Sequence, residues 1–437
     1  MPQLSSNNNY QGRRFLPLPL YKNLCLLGNG MLTAVNGLSR VALDNGRWFV
    51  GLDEARLLQL SQELTGLADF GDFGDDNFRQ PLAILLESCE RDADLNLVGR
   101  ICVRSEITRM LCNRLCMVAD RTQHPEILAE KIQRPLFITG LPRSGSTFLH
   151  ALLAQDPLCR APRIWEVMHP SPPPEKSSYD SDPRIGRTEQ QLKWLDVLMP
   201  GFEKFHLIHA RYPQECIAMT DHSFMSYLFE TMYQVSSYTD WHDQQDKRPA
   251  YAFHRRFLQH LQWRCTGTHW VLKAPSHLMA LEALLAIYPD ADIVVTHRDP
   301  LKVLPSCASL MRLLRAPFTN RVSRQGIGSE VSRRWAESTR RAMGLREELP
   351  DARQRFYDVN YPDLMQDPMA VVRGIYGYFG RELGQEALEA MQRFVAGNPR
   401  NNHGVHRYTL QEFGLDRDTE RRKFRFYTDY YRIAPEV

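Results

Sequence analysis

The chain has 437 residues, 43% hydrophobic and 24% charged, which supports a large core and excludes global disorder. A formal charge of +3 is near neutral for this length and argues against a nucleic-acid partner, which calls for a concentrated basic face. Nine scattered cysteines, with nothing to complete Cys112 and Cys116 as a zinc set, read as free thiols in a reducing cytoplasm.

The N-terminus MPQLSSNNNYQGRRFLPLPL lacks a basic-then-apolar leader pattern. The apolar LCLLGNGMLTAVNGL is broken by Asn and Gly and is too short to cross a bilayer. A cytoplasmic protein without a transmembrane segment is expected. Residues 1–130 are expected to form a helical N-terminal extension. In GLDEARLLQLSQELTGL, Asp53 is a helix cap and Leu57, Leu58, Leu60 and Leu64 recur at helical spacing. DFGDFGDDNF (69–78) is an Asp/Gly loop without the ligand order of a calcium loop, and no metal is expected there.

Residues 131–437 change to a strand–turn–helix rhythm. PLFITG is a short buried strand, and STFLHALLAQ is a helix ended by Asp156-Pro157. HWVLKAP (269–275) and ADIVVTHRDP (291–300) are further strands, each ending in a basic residue and then Pro. RFYDVNYPDL (355–364) supplies a fourth, followed by the helix PMAVVRGIYGYFG. The pattern predicts an α/β fold: a P-loop-like central parallel sheet flanked by helices. Residues 185–265 form a helical insertion rich in aromatics, among them Phe202, Phe205, Tyr212, Phe224, Tyr227, Phe229 and Tyr233, expected on the acceptor side.

Ligands of parallel sheets bind at the C-terminal ends of the strands, where Arg143, Lys273 and Arg298 fall. The loop Gly140-Leu-Pro142-Arg143-Ser144-Gly145-Ser146-Thr147 joins the first strand to a helix. Its backbone N–H groups, its hydroxyls and the Arg143 guanidinium suit an anion. A nucleotide-triphosphate loop would carry Lys where Ser146 stands, to reach the β- and γ-phosphates beside magnesium. Asp299 is the nearest strand-end acid, and its metal-binding partner set is incomplete. The loop therefore reads as a phosphate site that does not rely on a metal.

GLPRSGST resembles the 5′-phosphosulfate loop of sulfotransferases that use phosphoadenosine phosphosulfate (PAPS). VVTHRDPLKVLPSCASL resembles their second signature, with Arg298 and Ser306 eight residues apart. The helical N-terminal part is similar to a bacterial branch with an extended N-terminus. The resemblance implies PAPS as co-substrate, a hydroxyl acceptor and no catalytic metal, with Arg298 and Ser306 on the ribose 3′-phosphate. It extends more weakly over FYDVNYPDLMQDP, which makes Tyr361 a nucleotide-site candidate. Other branches close the 3′-phosphate site with Arg-Lys-Gly; here NPRNNHGVHRY (398–408) offers Arg400 and His406 instead.

The resemblance also implies that Lys273 neutralises the leaving group. Transfer to an alcohol or phenol needs a base. Glu166, about twenty residues beyond Arg143, is the first candidate, ahead of His206 and His209, which share one face of an expected helix, and of Glu215. The apolar insertion suggests a small apolar acceptor, such as a lipid or steroid-like molecule. The composition is compatible with a homo-oligomer. Two other readings stay open: an ATP-dependent small-molecule kinase on a degenerate P-loop, and a non-catalytic nucleotide-binding relative.

Overall fold

Five short parallel strands organise the protein. A computed structural model describes residues 46–47, 50–71, 77–199, 208–265, 267, 269–398 and 409–436, without the side chains of 194–197. His206, Phe202, Phe205, Arg400 and His406, most of the N-terminal segment and the centre of the Asp/Gly loop lie outside the described residues.

Among the described residues three α-helices precede the sheet: α1 (Glu54–Thr65), α2 (Arg79–Arg91) and α3 (Leu97–Gln123). Asp53 caps α1 as expected, its side chain accepting from the Arg56 N–H at 2.9 Å. Leu57 and Leu58 are buried, whereas Leu64 is exposed.

The strands are β1 (Leu136–Gly140), β2 (Cys159–Arg160), β3 (His269–Lys273), β4 (Asp292–His297) and β5 (Phe356–Asn360), in the spatial order β2-β3-β1-β4-β5. β1 lies at the centre, paired with β3 and β4. Alternate residues serve opposite faces. Leu136, Ile138, Val271 and Val294 join one cluster, while Phe137, Leu272, Ile293 and Val295 join another. Burial on both faces explains why the strands read as continuous apolar runs. β2 has two residues, too few for a periodic signal, and the sequence reading omits it.

Further helices position the site: α4 (Ser146–Leu153) after the loop, α5 (Ile164–Met168) after β2, α6 (Arg248–Gln262) before β3, α7 (Pro300–Arg315) after β4 and α8 (Tyr361–Gln366) after β5. The 185–265 insertion is largely helical, but three of its aromatics do not line an acceptor cavity. Phe224, Phe229 and Tyr233 are buried in one cluster with Leu57, Leu82 and Leu111 of α1–α3. The rings of Phe78 and Phe224 lie 6.1 Å apart. The helices before the sheet offer an apolar surface that these rings cover, and burial of that area outweighs exposure to a ligand cavity.

β1 ends in a contact that admits glycine alone. Gly140 pairs with Thr296 of β4 at φ +131°, and a Cβ there would sit 2.2 Å from the Thr296 carbonyl oxygen. Gly140→Ala is expected to destabilise the protein by about 2–6 kcal/mol through strain and overpacking. A urea unfolding curve reads this directly, and an unchanged midpoint would contradict the contact.

Candidate active site

The loop after β1 is held in a special conformation. Gly145 is left-handed at φ +88°, and Arg143, a non-glycine residue, lies at φ +63°. A Cβ on Gly145 would meet Leu364 at 2.9 Å and Tyr361 at 3.3 Å, so the turn lies tightly against α8. Left-handed residues placed before a helix start turn successive N–H groups toward one concave point. Ser144 behaves differently from the expectation that it donates to an anion. It is fully buried, bonded to the Leu141 carbonyl at 2.5 Å and to the Thr296 hydroxyl at 2.6 Å. Its hydroxyl braces the loop against β4. Ser146 and Thr147 begin α4, where the helix N-terminus favours negative charge.

At one side of the loop stands Lys273, the last residue of β3 and almost wholly buried. Its ammonium donates to Thr147 Oγ1 at 3.1 Å and forms a short ion pair with Glu215. Segment 210–216 brings Glu215 there by running beside the start of α5. The Ile164 and Trp165 N–H groups donate to the Tyr212 and Ala210 carbonyls at 3.0 Å. The Cys216 N–H then donates to the Lys273 carbonyl at 2.9 Å, fixing Glu215 beside the strand end. Glu215 retains 21% side-chain exposure.

On the other side, Arg298 follows β4. Its Nη1 donates to the Arg143 carbonyl at 2.8 Å, and its guanidinium lies 3.8 Å from the centre of the Tyr361 ring. Stacking on Tyr361 orients the planar cation. Arg143 Nε donates to Ser306 Oγ at 3.3 Å, so the Arg143 side chain reaches Ser306 while its carbonyl accepts from Arg298. Glu436 forms a bidentate pair with Arg298, with Nε–Oε1 and Nη2–Oε2 both at 2.9 Å. Asp299 is a helix cap and not a metal ligand: it accepts from the Leu301 N–H and the Glu436 N–H, both at 2.9 Å. Pro142 is half-buried in the same loop.

Glu166, the first candidate base, is engaged elsewhere. Its side chain is fully buried, ion-paired to Arg160, and accepts from the Arg163 N–H and the Tyr179 hydroxyl at 2.8 Å each. Arg160 in turn donates to the Leu261 and Cys265 carbonyls, locking β2 to the region after α6. These partners enclose the carboxylate at the junction of β2, α5 and Tyr179. His209 lies in an exposed turn and not on the expected helix; its Nδ1 accepts from the Arg211 N–H at 3.3 Å. Partial burial lowers its imidazole from the ordinary value, and Glu189 opposes that only in part. Sequence reasoning ranked Glu215 last because nothing local links it to Lys273, and Glu436 gave no signal at all.

A parallel sheet of this order, with a phosphate-type loop lacking its lysine and cationic groups on both sides, defines a transferase of anionic groups. The particular group transferred follows from relatives. Residues 135–385 match the family model described as Sulfotransferase family, and the chain belongs to that family. It is similar to the crystal structure of sulfotransferase STF1 from Mycobacterium tuberculosis, with 33% identity and a TM-score of 0.76 over 85% of this chain and 98% of that one. Sulfotransferase STF9 from Mycobacterium avium gives 30% identity and a TM-score of 0.80, covering 88% and 98%. Omega-hydroxy-beta-dihydromenaquinone-9 sulfotransferase Stf3 from Mycobacterium bovis is 24% identical over 290 residues, 64% of this chain and 71% of its own. The protein is thus a sulfotransferase enzyme that catalyses sulfuryl transfer.

Glu166→Ala is expected to cost about 3–5 kcal/mol of folding stability, because it leaves the Arg160 guanidinium buried and unpaired. Denaturant unfolding checks the loss. A stable variant with abolished turnover would instead mark Glu166 as catalytic.

Proposed function

We propose that the donor is PAPS, that its 5′-phosphosulfate rests on the loop from Gly140 to Thr147, and that Arg298, Ser306 and Arg143 receive its 3′-phosphate. Support comes from the fit of the residues: the left-handed Gly145 lets the loop pack directly against Leu364 and Tyr361, and Tyr361 stacks on the Arg298 plane. When bound, the donor supplies an activated sulfuryl group on a phosphate leaving group. The acceptor oxygen forms a bond to sulfur as the bond from sulfur to the bridging oxygen breaks.

The chain's own residues then have separate tasks. Backbone N–H groups of the loop hold the departing phosphate. Lys273 meets the charge that builds on the bridging oxygen, and such donors act on turnover more than on ground-state binding. We assign the proton acceptor to Glu215 and not to Glu166. The observation that carries this reading is the Lys273 ammonium held between Thr147 and Glu215 at the loop. The same cation that assists the leaving group thereby orients a partly exposed carboxylate on the acceptor side. No metal is required in this scheme.

The acceptor we propose is a small apolar alcohol or phenol. The similarity to Stf3, named for a hydroxylated dihydromenaquinone, supports a lipid-like molecule. Among the described residues no helix is long and apolar enough to cross a membrane. We place the reaction in the cytoplasm, a reading supported by the free thiols of the eight described cysteines.

Two measurements test the assignment. Glu215→Gln is expected to lower kcat on an alcohol about 100-fold to 10,000-fold while adenosine 3′,5′-bisphosphate still binds. An acidic phenol, already partly ionised, should suffer less. Loss confined to His209→Asn, with Glu215→Gln active, would move the base to the histidine. Arg298→Ala is expected to cost about 1.5–3 kcal/mol in binding adenosine 3′,5′-bisphosphate and far less in binding AMP. Equal losses by calorimetry would remove Arg298 from the 3′-phosphate site.

A further inference from the structure

The carboxylate on Arg298 has no role in sulfuryl transfer as derived above. Its position is nevertheless specific. Glu436 takes the Nε and Nη2 edge of the guanidinium in a two-point contact, while Nη1 donates to the Arg143 carbonyl. That edge is one of those on which a guanidinium grips a phosphate bidentately. Ser306 and the Arg143 guanidinium stand close by. A carboxylate therefore sits where the proposed function puts a 3′-phosphate.

The attachment of Glu436 is shallow. The chain leaves the helix Arg425–Tyr430, turns at Arg432 with φ +53°, and closes the turn with the Ile433 N–H donating to the Thr428 carbonyl at 2.9 Å. Ile433 packs against the main core. Beyond it Ala434 and Pro435 are exposed, and Glu436 is held by Arg298 and by its own N–H on Asp299. Releasing Glu436 breaks a partly exposed ion pair and one hydrogen bond and opens no apolar core.

We propose that Glu436 is an internal competitor for the 3′-phosphate, a residue that sets nucleotide specificity in this sulfotransferase. It occupies Arg298 in the nucleotide-free enzyme, yields to a 3′-phosphate, and retakes the guanidinium as the product nucleotide leaves. This inference rests on Arg298 being the 3′-phosphate ligand. Nucleotides with a free 3′-hydroxyl have no need to displace the carboxylate, so Glu436 weakens the bisphosphate selectively. The competent fraction of the site, not the strength of its contacts, is what the carboxylate lowers.

The test is calorimetry on the full chain with adenosine 3′,5′-bisphosphate and AMP. Glu436→Gln keeps the shape and removes the charge; Glu436→Ala removes both contacts to Arg298. Each is expected to bind the bisphosphate about 3–10-fold tighter, the size set by a partly exposed ion pair, with AMP unchanged. Stopped-flow dissociation of the bisphosphate is expected to slow in parallel. Weaker or unchanged bisphosphate binding would show that Glu436 orients Arg298 instead of competing for it. Equal tightening of both nucleotides would also overturn the proposal. Arg298→Ala, measured alongside, separates the two levels: if it keeps the preference for the bisphosphate over AMP, the 3′-phosphate assignment itself fails.

Discussion

A buried cation must have a partner, and Lys273 sets this requirement at the end of β3. Its ammonium is almost wholly removed from water, where an unpaired charge costs several kcal/mol or more. Thr147 from the loop and Glu215 from the insertion meet it. One side chain thus joins its own strand to two parts of the chain 126 and 58 residues away in sequence. The route of segment 210–216, its ladder beside α5 and its bond to the Lys273 carbonyl all serve to deliver that carboxylate. The insertion is therefore registered to the loop after β1 by electrostatics.

The second constraint is steric and lies one strand across. β1 and β4 approach so closely at Gly140 that the loop leaves β1 in a fixed direction. Ser144 and Thr296 fasten it from below, and Tyr361 closes it from the side. Arg143 is carried over toward Ser306 by its left-handed backbone. The cations consequently divide into two groups, Lys273 on one flank and Arg143 with Arg298 on the other. A ligand with two separated anionic ends suits this division better than a linear triphosphate.

Features encoded locally were legible in the sequence. The strand–loop–helix around Gly140 and the Asp53 cap each rest on residues close together in the chain. Features set by distant pairing were not. Glu166 is a base candidate from its place in the chain; its partners Arg160, Tyr179 and the Arg163 N–H are not revealed by any periodicity. His209 looked helical because it stands three residues after His206; Tyr212 and Ala210 instead pair with α5. Phe224 and Phe229 looked like pocket residues because a sequence does not show which apolar surface arrives first to cover a ring. β2, with two residues, carries no pattern to read.

The shared core of the insertion and the preceding helices bears on how such enzymes diversify. Arg114 of α3 is fully buried, stacks at 4.2 Å on Phe78 and at 5.0 Å on Phe253, and donates to the His222 carbonyl. One residue of the N-terminal helices is thus threaded into α6 and the short turn at His222. The insertion is not a cassette that can be exchanged alone. In any chimera, α1–α3 and residues 185–265 therefore have to travel together. Recombination that cuts between them strands a guanidinium in the interior, and lineages should inherit the two segments as a single heritable unit.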